Sequence, residues 1–307
     1  MKSLKITLII IFSVLILDKI VFFSLKKVDE KVLTGGLGRL NHFSLVKDTT
    51  KIIFFGSSRV QHHINPIYFG KSVFNMGVSN RKIAYYSTLI KTLEKDRKQV
   101  LFIQIDPYEV FDTLYDGSDI KALNIMQHKS DIVQKSIQEI NMDNPFSPYL
   151  WSLDYNGISL SLIKNRVKPQ YNFLNYNGYD PISNTKEQKQ IFMNRLKNSK
   201  EVICEEKYKT SGLVEEYLKE LYQINSNINK KVIFFTSPYY KDKCLKDNQA
   251  LKRVMEQIGF KYYDFSNLFD SNADLDLWKD ESHLSKKGAD LFSKMMFEKL
   301  KEELIIN

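Results

Sequence analysis

Cysteine is scarce: the 307 residues hold two. Two thiols cannot staple a small secreted scaffold or fill a four-ligand zinc site. Glycine (12) and proline (7) are also few, which argues against a loop-rich or repeat-rich β architecture. No Gly-rich phosphate loop of the P-loop or dinucleotide type occurs, and no cofactor is expected. Beyond the N-terminal segment there is no second long apolar run, so the rest of the chain is expected as one body on one side of a membrane. Charge is not lacking: the chain carries +9, from 45 Lys and Arg against 36 Asp and Glu. The basic residues are mostly lysines spread among acids, with no basic helix and no recognition motif. No nucleic-acid partner is therefore expected, and attraction to an anionic envelope surface accounts for the charge.

The N-terminus reads as an anchor. Ile6 to Leu25 is apolar apart from Asp18-Lys19 near its C-terminal end. Twenty residues make a helix about 30 Å long, one bilayer core. A cleaved signal peptide needs a short apolar core and a small-x-small cleavage site. Bulky Ile20, Phe22 and Phe23 follow the charged pair instead. A buried core helix fits poorly, because the run is apolar nearly all round. Residues 1–27 are read as an uncleaved single-pass anchor of the cytoplasmic membrane, 28–50 as an irregular connector carrying Gly35-Gly36-Leu37-Gly38, and 51–307 as the body. Lysines flank both ends of the anchor, so charge does not orient it.

Five short apolar runs in the body read as strands: 51–55, 72–76, 100–105, 231–236 and 261–265. Helical spacing of apolar residues lies between them, over 81–98, 213–224 and 248–258. Near-continuous apolar strands alternating with helices predict a parallel five-stranded sheet covered on both faces, a three-layer α/β/α fold. The alternation breaks over about 108–208, a stretch rich in Asn, Tyr, Ser and Lys. It is too long for a plain connection and is read as an inserted, lid-like subdomain. Its aromatics (Tyr149, Trp151, Tyr155, Tyr171, Phe173, Tyr176, Tyr179) suit either a sugar-binding groove or the packing of a small lid core.

In parallel sheets the chemistry sits at the carboxyl ends of the strands. The first strand ends in Gly56-Ser57-Ser58-Arg59, a place for an exposed nucleophile and equally the composition of an ordinary turn. Near the C-terminus stands Asp280-Glu281-Ser282-His283, followed by Leu284-Ser285-Lys286-Lys287-Gly288. Ser285 can cap a helix through Phe292, Met296 and Leu300. His283 then lies on the preceding loop, with Asp280 three residues earlier. That is either a helix-initiating loop with a surface histidine or the acid and base of a serine triad.

Taken together, these motifs resemble the SGNH/GDSL hydrolase superfamily, whose fold is three-layer and flavodoxin-like. Gly56-Ser57-Ser58 matches its Gly-Asp-Ser turn with Ser57 in place of Asp, and Asp280–His283 matches its late Asp-x-x-His. Asn75-Met76-Gly77-Val78-Ser79-Asn80 matches the start of its second motif, with Asn80 where the oxyanion glycine often stands. Asp106-Pro107-Tyr108-Glu109 replaces its Gly-x-Asn-Asp, leaving the side-chain oxyanion donor unassigned. The anchor, the Gly-Ser-Ser and the Asp-Pro look like the membrane-anchored branch of cell-envelope clusters, similar to DltD-like and alginate-O-acetylation-like proteins. The resemblance implies a serine acyltransferase or esterase acting outside the cytoplasmic membrane on a surface polysaccharide or teichoic-acid-like glycopolymer. A membrane-bound O-acyltransferase (MBOAT) is the implied partner. Ser58 would attack, His283 would take its proton and Asp280 would orient His283. The backbone N–H groups of Ser58, Gly77 and Asn80 would hold the oxyanion. The competing reading is an inactive SGNH-fold glycan-binding or scaffold protein of such a complex.

Three further signals carry less. Adjacent His62 and His63 are poorly placed to share a metal, and no metal site is expected. Cys204 and Cys244 can pair if the body is extracytoplasmic. Arg59 can meet an anionic group of the polymer or brace a neighbouring helix.

Overall fold

The computed structural model describes residues 2–169, 176–198, 204, 207–272 and 274–304. Five strands, β1 (Ile52–Gly56), β2 (Val73–Gly77), β3 (Gln99–Gln104), β4 (Lys230–Thr236) and β5 (Lys261–Asp264), form one all-parallel sheet in the order β2-β1-β3-β4-β5. The helices are α1 (Lys2–Asp29), α2 (Gly35–Val46), α3 (Ser58–His63), α4 (Ile83–Lys91), α5 (Pro107–Val110), α6 (Asp131–Glu139), α7 (Ser159–Val167), α8 (Lys186–Lys197), α9 (Gly212–Asn225), α10 (Leu245–Ile258) and α11 (Lys286–Leu300). Each strand falls within a residue of the apolar run that announces it.

The pleat explains why those runs are apolar at every position. Ile53, Phe55, Leu101, Ile103, Val232 and Phe234 face a core built with α2, α4, α9 and α10. Their neighbours Ile52, Phe54, Val100, Phe102, Ile233 and Phe235 face a second core built with α3, α8 and α11. Helices therefore cover both faces, the three-layer α/β/α arrangement expected. The strand order reverses between β1 and β3, and ligands of such sheets bind at that point, beyond the carboxyl ends.

Helix α1 is long and apolar enough to cross a membrane. The stretch 28–50 is not the irregular connector expected from its glycines. It contains the end of α1 and all of α2, whose Leu40 and Phe43 are buried in the core. Gly38 makes this packing possible, since a Cβ there would lie 2.3 Å from the Leu33 carbonyl carbon. The α2 side chain Arg39, fully buried, donates to the Gly77 carbonyl at the end of β2.

The long stretch after β3 divides between the two faces. Ile120, Leu123, Val133, Ile137 and Tyr155 join the core of α4 and α9. Tyr179 and Phe192 join the other core. Trp151 packs edge-on against Phe22 and Phe23 of α1, and Tyr155 against Phe22. Of the aromatics considered for a sugar groove, these two and buried Tyr179 are thus committed to packing, Tyr149 and Tyr176 are exposed, and Tyr171 and Phe173 lie outside the described residues. Cys204 and Cys244 form a disulfide.

Candidate active site

Ser58 is the first residue of α3, reached through a turn directly after β1. Ser57 caps that helix: its Oγ accepts from the Arg59 amide and donates to Gln104 Oε1 at 2.8 Å. Ser57 is thereby spent on structure, and Ser58 stands free at the sheet's carboxyl edge. Asn75 on β2 fastens α3 from below, its Nδ2 donating to the carbonyls of Val60 and Ile64 at 2.7 Å each.

His283 comes from the other end of the chain. Ser285 caps α11, accepting from the Gly288 amide and donating to the Asp276 carbonyl. Gly288 lets the helix sit directly on the preceding loop, because a Cβ there would lie 2.1 Å from the Leu277 carbonyl oxygen. Trp278 and Leu284 pair as an isolated antiparallel bridge, and the loop between them presents Asp280 and His283. His283 Nε2 lies 2.9 Å from Ser58 Oγ. Its Nδ1 lies 2.9 and 3.1 Å from the two Asp280 oxygens. Asp280 Oδ1 also accepts from the amides of Ser282 (3.0 Å) and His283 (2.9 Å). Burial disfavours the Asp280 charge, but hydrogen bonds from His283 and Ser282 and the imidazole's charge outweigh it and hold the carboxyl at about 2. An ionised carboxylate therefore fixes one histidine nitrogen while the other addresses the serine hydroxyl.

The turn after β2 supplies fewer donors than expected. The Gly77 amide is spent on Asn75 Oδ1 (2.9 Å), so Gly77 is corrected out of the oxyanion set. The Val78 amide goes to the Gly56 carbonyl and the Ser79 amide to Gln61 Oε1. The Asn80 amide has no acceptor among the described residues, and neither has that of Ser58. Asn80 has φ +59, a left-handed conformation that Asn tolerates better than most residues.

Ser58 opens into a cavity of 250 Å³ that Asn80, Arg81, Lys82, Tyr108 and Glu109 also line. Burial, reinforced by nearby Asp106, pushes the Glu109 carboxyl well above its usual range, against the pull of Lys82. A carboxyl whose charge is disfavoured therefore stands in the wall. Beyond Arg59 and Tyr108 lies a second cavity of 450 Å³, with Tyr239, Tyr240 and Cys244 on its lining.

Arg59 does not face a ligand freely. It is buried, paired with Asp106, and donates to the carbonyls of Ser237 and Pro238. Asp106 in turn accepts from Gln104 Nε2 (2.7 Å), so the ends of β1, β3 and β4 are tied together below the serine. His62 and His63 diverge. His62 Nδ1 donates to the Asp180 carbonyl at 2.7 Å. His63 Nε2 accepts from the Leu284 amide at 3.0 Å, which leaves the proton on Nδ1, facing Ser237 Oγ. Burial and the charge of Arg59 keep His63 neutral, its pKa well below the ordinary histidine value. Cys204, Cys244 and Asp247 also converge, but both sulfurs are in the disulfide and leave no thiolate to ligate a metal.

Sequence reasoning missed the strap over 176–185. The Asn177 carbonyl accepts from the Asn75 amide and covers the free edge of β2. The Asp180 amide donates to the Gln61 carbonyl on α3, while the Ile182 carbonyl and Asn184 Nδ2 bond Lys286 and Trp278 beside the histidine loop. One segment thus braces both halves of the site. Its polar, proline-containing sequence gave no periodic signal.

No family model and no curated protein matches the chain. Among solved structures it is similar to a Streptococcus pneumonia protein provisionally described as a platelet activating factor, at 13% identity and a TM-score of 0.31, covering 96% of this chain and 99% of that one. It is also similar to a gut microbial diltiazem-metabolizing enzyme, at 12% identity and a TM-score of 0.32. That match covers 82% of this chain and 47% of the enzyme.

Proposed function

We propose that this chain is a membrane-anchored serine acyltransferase or esterase that acts on a cell-surface glycopolymer. The observation that carries the reading is the relay from Asp280 through His283 to Ser58, with Nε2 at 2.9 Å from Oγ. His283 takes the hydroxyl proton as Ser58 Oγ bonds to an ester carbonyl carbon. The amides of Ser58 and Asn80 receive the oxyanion. Its collapse breaks the ester C–O bond, and His283 returns the proton to the leaving alcohol. The acyl-serine is then resolved by water, giving an acid, or by a sugar hydroxyl, giving a new ester. The 450 Å³ cavity next to the serine cleft has room for the acyl donor or the acceptor. The anchor and the disulfide favour an extracytoplasmic body, where disulfides persist. A membrane-bound O-acyltransferase is the partner this reading calls for if the acyl group arrives from across the membrane.

The test is labelling of the full-length protein with a fluorophosphonate, alongside turnover of a p-nitrophenyl ester. Labelling and turnover that Ser58→Ala abolishes are expected. Their absence in the parent protein would leave the inactive scaffold as the better reading.

A further inference from the structure

Helix α1 does not simply lead to the body; half of it is part of the body. Residues 2–14 are exposed all round. From Leu15 onward, positions 15, 18, 22, 25 and 29 turn inward at alternating spacings of three and four, the seam of a packed helix. The docking is polar as well as apolar. The buried Asp18 carboxylate accepts from the amides of Trp151 and Ser152 at 2.9 Å each. Lys19 bonds the Tyr149 carbonyl and lies 4.2 Å over the Trp151 ring. Asp29, fully buried, pairs with Lys129 at 2.9 Å and is bonded by Asn41.

This creates a conflict of lengths. A hydrocarbon core is about 30 Å thick and needs about 20 helical residues. The undocked residues 2–14 supply about 20 Å at 1.5 Å per residue. The missing ~10 Å must come from the docked part. The outward side of that part is suited to lipid: Leu17, Ile20 and Phe23 are 60%, 58% and 54% exposed. Whatever flanks α1 at that level shares its depth. Tyr149, bonded to Lys19 through its carbonyl, is 67% exposed, and Phe146 in the same turn is 63% exposed. Helix α7 also packs against α1, farther toward the headgroups, with Asn165 against Gly35 just past the end of α1; it exposes Leu160 (82%), Ile163 (47%) and Val167 (80%), one helical stripe, while Leu162 is buried in the core. Lys164, Arg166 and Lys168 accompany the stripe. Apolar residues with adjacent basic ones are the composition of a helix lying in the headgroup region of an anionic leaflet.

We infer that α7 and the Phe146–Tyr149 turn form a second membrane-binding surface. They are immersed in the leaflet beside the docked half of α1 and take an anionic phospholipid bilayer as their partner. The inference rests on α1 spanning the membrane and is independent of the serine chemistry. Asp18 at this depth is tolerable because its partners are protein groups. The body is then held to the bilayer at two places and cannot swing on its anchor.

The test uses the full-length protein in phosphatidylcholine vesicles containing phosphatidylglycerol. The native cysteines are paired, so single substitutions Leu160→Cys and Val167→Cys can carry an environment-sensitive fluorophore. Phe12→Cys on α1 reports insertion. Ile67→Cys, exposed on the opposite layer against α11, reports bulk water. Lipids brominated in the acyl chains should quench the labels at 160 and 167 by roughly half or more of the quenching at 12, and leave 67 unchanged. Quenching at 12 with none at 160 and 167 would overturn the inference. So would shielding of 160 and 167 that needs an added integral-membrane protein, since the surface would then be a protein interface. No quenching at 12 would remove the membrane-spanning premise and the inference with it. None of these outcomes bears on Ser58 labelling.

Discussion

Replacing Asp280 by Asn tests the relay at the atom that matters. In the parent protein the Asp280 oxygens accept from the Ser282 and His283 amides and from His283 Nδ1. Asn retains one oxygen for the two amides, so the loop keeps its shape. The amide nitrogen replaces the oxygen that lies 3.1 Å from Nδ1. The new amide N–H points at Nδ1 and favours the tautomer in which Nδ1 accepts and Nε2 carries the proton, over the one in which Nδ1 still donates to the retained Oδ1 at 2.9 Å. Nε2 then points an N–H at Ser58 Oγ and has no lone pair for its proton. Loss of this tautomer, with loss of the charge that stabilises the imidazolium, lowers kcat about 10³–10⁴-fold, or about 4–5.5 kcal/mol of transition-state stabilisation. The assay is p-nitrophenyl acetate hydrolysis by the full-length protein in detergent, with Ser58→Ala setting the background and thermal melting confirming the fold. Asp280→Ala serves as the contrast. It should lose activity to the same degree and also about 1–2 kcal/mol of stability, because the two loop amides lose their acceptor. An Asn variant that melts like the parent and retains activity within about ten-fold would refute the argument, because Asp280 would not then be setting the tautomer.

Further expectations follow from the scaffold. Gly288→Ala should cost about 1–3 kcal/mol by chemical denaturation, since the new methyl meets the Leu277 carbonyl oxygen at 2.1 Å and α11 must move away from the histidine loop. Asp280 and Glu303 are both held at about 2, below their unfolded values, Glu303 because its bonds to Lys231, Lys261 and Tyr263 outweigh the opposing effect of burial. Their contribution is present above about pH 4 and fades as pH falls toward 2, by no more than about 1 kcal/mol each after solvent screening. Denaturant melts of Asp280→Asn and Glu303→Gln should lose part of the parent's acid sensitivity over that window. Glu109 has the opposite sign: burial raises its pKa above the unfolded value, so the parent loses stability as pH rises above that unfolded value. Glu109→Gln removes that slope, and its stability relative to the parent should grow with pH in parallel melts. Reducing Cys204–Cys244, which are 40 residues apart, should lower stability by up to about 4 kcal/mol, read as a shift of the denaturation midpoint with and without reductant.

The strands were legible because a strand covered on both faces must be apolar at consecutive positions, and few other elements produce Ile-Ile-Phe-Phe followed by Gly. Ser58 was legible as a candidate because it follows such a strand, and Asp280 and His283 because they stand three residues apart just before a helix capped by Ser285. Helix α2 was hidden by its own glycines, which read as a loop until Gly38 is seen to admit the Leu33 backbone. Gly77 was misassigned because a motif specifies a turn and not which of its amides are already bonded; only the Asn75 side chain, turned back upon it, settles that. Arg59, Asp106 and Glu109 gave no sign of burial, since what buries them comes from strands and loops far along the chain. The docking of α1 was illegible for the same reason: Asp18 reads as an interruption of an apolar run until Trp151 and Ser152 are placed beside it.

Ser58 and His283 are 225 residues apart in the chain, and that separation bears on when the site comes into being. β1, α3, β2, α4 and β3 are consecutive and can assemble early, whereas β4 must find β3 across the whole interval between them. Loop closure over such distances is slow, and chains made from the N-terminus fold in that order. In that order Ser58 is made early, and His283, its proposed base, arrives just before the last helix. Under the proposed function, the contact between Ser58 and His283 is completed only when the C-terminal helix has docked, so the last segment made is the one that completes the candidate site.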